Sequence, residues 1–152
     1  MPDDAAGRMQ TKRAMSATSR TLHHVGEWKV ELDASTLEEL FTEVARVIGE
    51  QAGAGRRAAE YGQWEPLTLE ATDLTALLVD WANELIGRGD VACRRYDSVR
   101  YLTIDPSAAR LVAEVRGMPV DTWMSPIKAA TYHGADIQPT EDGWRAAVLF
   151  DV

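Results

Sequence analysis

The last residues of the chain, 149–152, place two acidic groups together at the end of a predicted strand. Asp151 alternates with the apolar side chains of that strand, and the α-carboxylate of Val152 follows it directly. Hard cations such as Ca2+ prefer oxygen ligands of this kind. Glu27 adds a third acidic group if its strand ends beside the last one. A cation or a basic side chain would then neutralise the cluster; otherwise Glu27 and Asp151 are separate, solvated charges.

Zinc chemistry has less support in the sequence. Zinc requires a tight set of His, Cys or carboxylate ligands, and the available side chains are His23, His24, Glu27 and His133. On one continuous strand, His24 and Glu27 would point to opposite faces. His23 and Glu27 would share a face but lie about 13 Å apart. The sequence therefore predicts no local zinc site.

Nucleophilic and nucleotide-dependent catalysis also find little support. Cys93 is the only cysteine, so an internal disulfide is excluded. We place it in a strand beside Arg94 and Arg95, where it is either a core residue or a thiol activated by the guanidinium groups. The sequence has no GxGxxG, GxxxxGK[ST], GxSxG or HExxH motif. We predict no catalytic residue; an enzyme using Cys93 or His133 would require a deep pocket around them.

Apolar spacing predicts the elements that must position these groups. Leucine-rich stretches with helical period predict two helices, and alternation predicts the strands around them. Pro106-Ser107 and residues 140–143 are typical turn sequences. The fold class is α+β, a mainly antiparallel sheet with two helices packed on one face. The order is strand, helix, strand, helix and then four strands, at residues 24–32, 37–51, 64–71, 74–87, 93–105, 108–116, 129–137 and 144–152.

The length of 152 residues fits one domain. Residues 1–20 lack an apolar period, so we predict a disordered tail there and a single domain over 21–152. Four basic and two acidic side chains in the tail leave residues 21–152 with a net charge of −10. Such a domain is a poor direct binder of nucleic acid and suits a cation or a basic protein surface. We expect no membrane span and no signal peptide, and hence a cytoplasmic protein.

Several stretches of the chain together resemble the archease family. His24-Val25-Gly26-Glu27 is similar to the family's His-Thr-Ala-Asp, and residues 36–41 are similar to its first helix. Residues 77–85 resemble Leu-Leu-x-x-Trp-Leu-Asn-Glu-Leu; within this match we expect Trp81 to be a core residue and Asn83 to be a structural or surface residue. The last match comprises residues 127–133 and 148–152. Each stretch is short, but they occur in the family's order from about residue 22 to the end.

The resemblance implies the archease fold and a non-catalytic function. Archeases assist an RtcB-type RNA ligase, promoting its guanylylation and turnover in tRNA splicing or RNA repair. The partner implied here is therefore that ligase, without strong direct binding of nucleic acid. A different reading is a chaperone-like module that binds another protein and needs no ligase.

The resemblance also implies a site for a divalent cation. Its ligands would be Glu27, Asp151 and Val152, and the metal would be Ca2+, with Mg2+ or Mn2+ as alternatives. The family has Asp at the first of these positions, and the longer Glu places its oxygens differently. Two further residues, His24 and Lys128, match family positions. The residues expected to support the site or contact the ligase are His24, Lys128 and His133.

Overall fold

The computed structural model describes residues 17–53 and 61–152. In these ranges the chain forms seven strands and two helices. The bounds are β1 Ala17–His24, β2 Glu27–Ala34, α1 Leu37–Gln51, β3 Glu65–Glu70, α2 Leu74–Ala92, β4 Arg94–Asp105, β5 Arg110–Pro119, β6 Ala129–Thr140 and β7 Gly143–Asp151.

The strands form two antiparallel sheets. One has four strands in the order β1-β2-β7-β6, and the other has three in the order β3-β5-β4. Helix α1 contacts β1, β2 and β7 of the first sheet and β4 of the second, while α2 contacts β6 and all three strands of the second sheet. The predicted α+β class is confirmed, although the strands divide between two sheets.

Alternation along the strands explains which face of each sheet is buried. Ala146, Val148 and Phe150 of β7 are at most 3% exposed, as their spacing predicts. Leu111 and Val115 are buried in the same way on β5. Each sheet therefore turns its apolar face towards the helices and leaves its other face to solvent.

Trp81 of α2 lies at the centre of this core. Its side chain is fully buried, packs against Phe41 of α1 and donates a hydrogen bond from its indole nitrogen to the Phe41 carbonyl at 2.8 Å. A buried indole N–H requires such a partner. The prediction that Trp81 is a core residue is confirmed.

The first strand differs from the prediction. The stretch predicted as one strand from His24 is a hairpin, in which Val25 and Gly26 form the turn and Gly26 has a φ of 80°. The preceding strand begins at Ala17, so residues 17–20 do not belong to a disordered tail. Residues 1–16 lie outside the described residues, and their predicted disorder stays a prediction.

The end of α2 also differs. We expected Gly87 and Gly89 to end the helix, but it continues to Ala92 and is capped by Cys93 in the left-handed conformation. A Cβ atom on Gly89 would lie 3.0 Å from the Arg94 carbonyl oxygen, so close packing explains this glycine. Cys93 is exposed and belongs neither to a strand nor to the core. In the described ranges, neither helix is long and apolar enough to cross a membrane.

Candidate functional site

The register of the four-stranded sheet brings several of the predicted site residues into one row, at the end of the sheet where the turn between β1 and β2 lies. His24 of β1 lies opposite Glu27 of β2, Glu27 lies opposite Asp151 of β7, and Asp151 lies opposite Ala129 of β6. We call this set the terminal row. Glu27 and Asp151, 124 positions apart in sequence, are thus direct neighbours across two strands.

The main chain beside the pair shows how close the two acidic residues are. The Val152 N–H donates to the Gly26 carbonyl at 3.1 Å, so Glu27 and Asp151 form the following non-hydrogen-bonded pair of the ladder. Opposite residues in such a pair have Cα atoms about 4.5 Å apart and side chains on the same face. Phe150 next to Asp151 is buried, which puts both carboxylates on the outer face of the sheet.

Neither acidic side chain of the terminal row has a basic partner among the side chains that the structure describes. Glu27 and Asp151 take part in no salt bridge with any of them, and the two carboxylates lie where like charges repel. Further along the same face, Arg20 binds Glu31 at 2.5 Å and Arg145 binds Asp33 at 2.9 Å. Arginine therefore neutralises the inner carboxylates of this face, whereas the outermost pair has no salt bridge to a described side chain.

The Arg20–Glu31 pair shows what such neutralisation does. The hydrogen bond from the Arg20 guanidinium lowers the pKa of Glu31 below its ordinary value, and the positive charges of Arg20, Lys29 and Arg145 act in the same direction. A lowered pKa means that the folded state favours the charged carboxylate. Ionised Glu31 is therefore stabilised by its basic neighbours.

Helix α2 holds the strand next to Asp151 from behind. The side-chain amide of Asn83 donates to the Ala130 carbonyl at 3.0 Å and accepts the Ala130 N–H at 2.8 Å. Lys128, just before this strand, donates its main-chain N–H to the Asp151 carbonyl at 2.8 Å. The terminal row is thus anchored to the core through Asn83. The sequence match marked Asn83 only as structural or surface and gave no indication of this two-bond contact.

Tyr132 makes a second link between β6 and α2. Its hydroxyl donates a hydrogen bond to the Asp80 carboxylate, which raises the pKa of the tyrosine. Tyr132 itself is 59% exposed. The link ties the surface of α2 to the strand that borders Asp151.

The residues expected to support the site lie at different distances from the terminal row. Lys128 is exposed and borders Asp151 through its main chain. His24 has the register position opposite Glu27. His133 is exposed and lies in a bulge of β6, between Thr131 and Asp136, beyond the residues that pair with the end of β7. The register therefore brings His24 and Lys128 to the row and leaves His133 outside it.

The donor atoms fit a hard cation better than zinc. Among the described residues, no group of three or more His, Cys, Asp or Glu side chains could hold a metal. Glu27 and Asp151 supply two carboxylates, and Val152, next to Asp151 in the chain, offers main-chain oxygens. Ca2+ accepts carboxylate, carbonyl and water oxygens with flexible geometry, whereas zinc requires a tight set of side chains.

One premise used against zinc was wrong. His24 and Glu27 do not lie on a continuous strand, because the turn at Val25-Gly26 makes them partners across a hairpin. His23 is likewise opposite Trp28, and their rings are in edge contact with centroids 5.0 Å apart. The separation of about 13 Å for His23 and Glu27, which assumed an extended strand, therefore does not apply.

Two surface grooves lie elsewhere. A groove of about 720 Å³ runs along α2 and β3, where Arg88 bridges Glu65 and Glu84. Another of about 440 Å³ lies at the far end of the four-stranded sheet, near Asp33 and Arg145. Neither is lined by Cys93 or His133, so these grooves give no support to an enzyme built on either residue.

Comparison with known proteins agrees with this fold. The model of the family described as "Archease protein family (MTH1598/TM1083)" matches residues 20–152. The chain belongs to the archease family. It is 30% identical to a protein archease of Methanosarcina barkeri, over 86% of this chain and 93% of that one. It is also 28% identical to a protein archease of Methanosarcina acetivorans, with the same coverage of both chains.

Two solved archease-family structures share the fold. The solution structure of protein 1598 of Methanobacterium thermoautotrophicum has a TM-score of 0.64 at 22% identity and covers 88% of this chain and 98% of that chain. The crystal structure of an archease from Thermotoga maritima, described as a possible chaperone, has a TM-score of 0.59 at 17% identity and covers 89% and 98%. At these identities the likeness establishes the fold alone.

Proposed function

We propose that this chain is a metal-dependent accessory protein that activates an RtcB-type RNA ligase. The observation that carries the proposal is the pairing of Glu27 with Asp151 at the end of the sheet, with no basic partner for either among the described residues. The chain's membership of the archease family supports the proposal, because the resemblance to archeases is what implies an RtcB-type ligase as the partner. The protein itself carries out no chemical step in this proposal.

The proposed cation site consists of Glu27, Asp151 and a main-chain oxygen of Val152. A divalent cation bound there supplies positive charge that neutralises the two carboxylates and can attract an anionic group of the partner. The residues themselves hold and orient the ion, and Asn83 keeps the adjoining strand in place. Ca2+ is the proposed ion, because its variable coordination accommodates the longer Glu27 more readily than the rigid octahedron of Mg2+ does.

The activation experiment measures multiple-turnover joining of RNA ends by a cognate ligase, with and without this protein. We expect the wild-type protein to stimulate turnover and Asp151→Ala to lose that stimulation while remaining folded. Asp33→Ala is the matched control, since it removes a carboxylate from the same face that Arg145 already neutralises. Equal stimulation by Asp151→Ala and wild type would refute the metal role, and no stimulation by the wild type would refute the ligase as partner.

A second candidate function is a chaperone-like module that binds a different protein. The description of the Thermotoga maritima archease as a possible chaperone favours it. In this case the protein suppresses aggregation of its partner without any ligase, and Asp151→Ala retains that effect. Affinity capture with this chain recovers the partner, and an aggregation assay on that partner, with wild type and with Asp151→Ala, distinguishes the two candidates.

A further inference from the structure

The three-stranded sheet has an outer face that differs in chemistry from the rest of the molecule. The register places Thr68, Val112 and Thr103 in one row across the three strands. Pro66, Glu114 and Arg100 form the next row. The opposite face of this sheet is buried against the helices, whereas Val112 is 40% exposed.

Arginine and aromatic side chains are stacked on this face. The Arg100 guanidinium lies 4.2 Å from the centre of the Trp64 ring, and the Arg116 guanidinium lies 4.5 Å from it. Arg116 also lies 4.9 Å from the Tyr61 ring, and Arg100 lies 4.9 Å from the Tyr101 ring. We call these five residues the arginine–aromatic face. Cation–π contacts hold the guanidinium groups flat and near the surface.

The positive charge of this face is only partly neutralised. Arg100 binds Glu114 at 2.6 Å. Arg116 has no carboxylate partner among the described residues, and its buried Nε has no hydrogen-bond partner there. In a chain with a net charge of −8, an uncompensated arginine between two aromatic rings marks a local site for an anion.

Tyr101 has an exposed ring on a strained backbone. It lies in a bulge of β4 between Arg100 and Thr103, has a φ of 53°, and is 74% exposed. A bulky residue in the left-handed region is unfavourable, and glycine or asparagine would suit the backbone better. Burial in the core does not offset this cost. The ring is therefore placed where a ligand can stack on it.

We propose that the arginine–aromatic face binds single-stranded RNA. Exposed aromatic rings and guanidinium planes stack with unpaired bases, and the arginine charge pairs with phosphate. Exposed hydroxyl groups of Thr68 and Thr103 on the same face are available to the 2′-OH that distinguishes RNA from DNA. An acidic peptide would use the charge but would place no planar base on the exposed part of the Tyr101 ring. The acidity of the whole domain limits strong binding without preventing a weak local contact.

The experiment measures fluorescence anisotropy of a labelled twelve-nucleotide oligouridine with the full chain at low salt. We expect Tyr101→Gly to weaken binding roughly tenfold, in line with the loss of one stacked base. The same variant should be at least as stable as the wild type, because glycine relieves the backbone strain. Arg116→Ala should lower affinity and reduce the slope of log affinity against log salt by about one.

The controls separate this face from general charge effects. Arg20→Ala removes one arginine from the other sheet and should change affinity less than twofold. Tight binding of poly-glutamate, or equal binding of an oligothymidine DNA, would overturn the assignment to RNA. Unchanged affinity in Tyr101→Gly would overturn the site. These outcomes are independent of ligase activation, since that experiment depends on Asp151 at the other sheet.

Discussion

The two ends of the outer face of the four-stranded sheet use the same strands in opposite ways. At one end Asp33 and Glu31 face Arg145 and Arg20, and both pairs form salt bridges. At the other end Glu27 faces Asp151, with no basic partner in the described chain. Carboxylates that the fold neutralises internally contribute to its stability, whereas the two carboxylates without a described counter-charge repel each other, and the proposed cation would relieve that repulsion. Replacing one carboxylate by a neutral side chain should therefore change the stability of the fold differently at the two ends.

The largest expected effect comes from removing the contact between Asn83 and β6, which anchors the end of the sheet that carries Glu27 and Asp151. Asn83→Ala removes both hydrogen bonds to Ala130 and leaves its N–H and carbonyl unsatisfied. We expect the free energy of unfolding to fall by about 3 kcal/mol, because each unsatisfied buried group costs about 1–3 kcal/mol. Urea denaturation followed by tryptophan fluorescence measures the loss.

The matched control lies on β6, the strand that Asn83 contacts, but towards its other end. Among the described residues, the Gln138 side chain donates a hydrogen bond to the exposed Asp136 carboxylate and to no other group, so Gln138→Ala should cost less than about 0.5 kcal/mol. If the two variants lose equal stability, the Asn83 contact does not anchor the terminal row.

A smaller effect tests cation binding through stability. At a free Ca2+ concentration a hundredfold above its dissociation constant, the wild type should gain about 2.7 kcal/mol of unfolding free energy. Glu27→Gln should lose that gain, because one of the two carboxylates disappears. Asp33→Asn should keep it. Thermal unfolding with Ca2+ and with a chelator makes the measurement, and a gain in Glu27→Gln equal to that of the wild type would contradict the site.

Some of this arrangement could be predicted from sequence because it follows from local alternation. The apolar period of β7 correctly placed Phe150 in the core and Asp151 on the outer face. The direct opposition of Glu27 and Asp151 could not be predicted, since register between strands 124 positions apart depends on the packing of the whole sheet. Resemblance to the archease family supplied that pairing as an expectation.

Other features could not be predicted because the same short sequence is compatible with two local structures. Val25-Gly26 can continue an alternating strand or form a tight turn, and only the partner strand decides between them. Gly89 reads as a helix terminator, although close packing against Trp123 and Arg94 is the reason for a glycine there. The first half of β1 was not predicted because its residues are mostly polar and the strand lies at the edge of its sheet. There the Ser19 hydroxyl donates a hydrogen bond to the Glu43 carboxylate of α1.

The smallest effect is also the sharpest, because the two ends should respond with opposite sign. With metal removed by a chelator, Asp151→Asn should stabilise the fold by about 0.2–1 kcal/mol, since it relieves repulsion from Glu27. Asp33→Asn should destabilise it by up to about 1 kcal/mol, because it breaks the exposed pair with Arg145. Paired urea melts at neutral pH and low salt resolve the signs. Added salt should shrink both differences, as screening weakens exposed charges, and destabilisation by Asp151→Asn under these conditions would mean that the fold already neutralises that carboxylate.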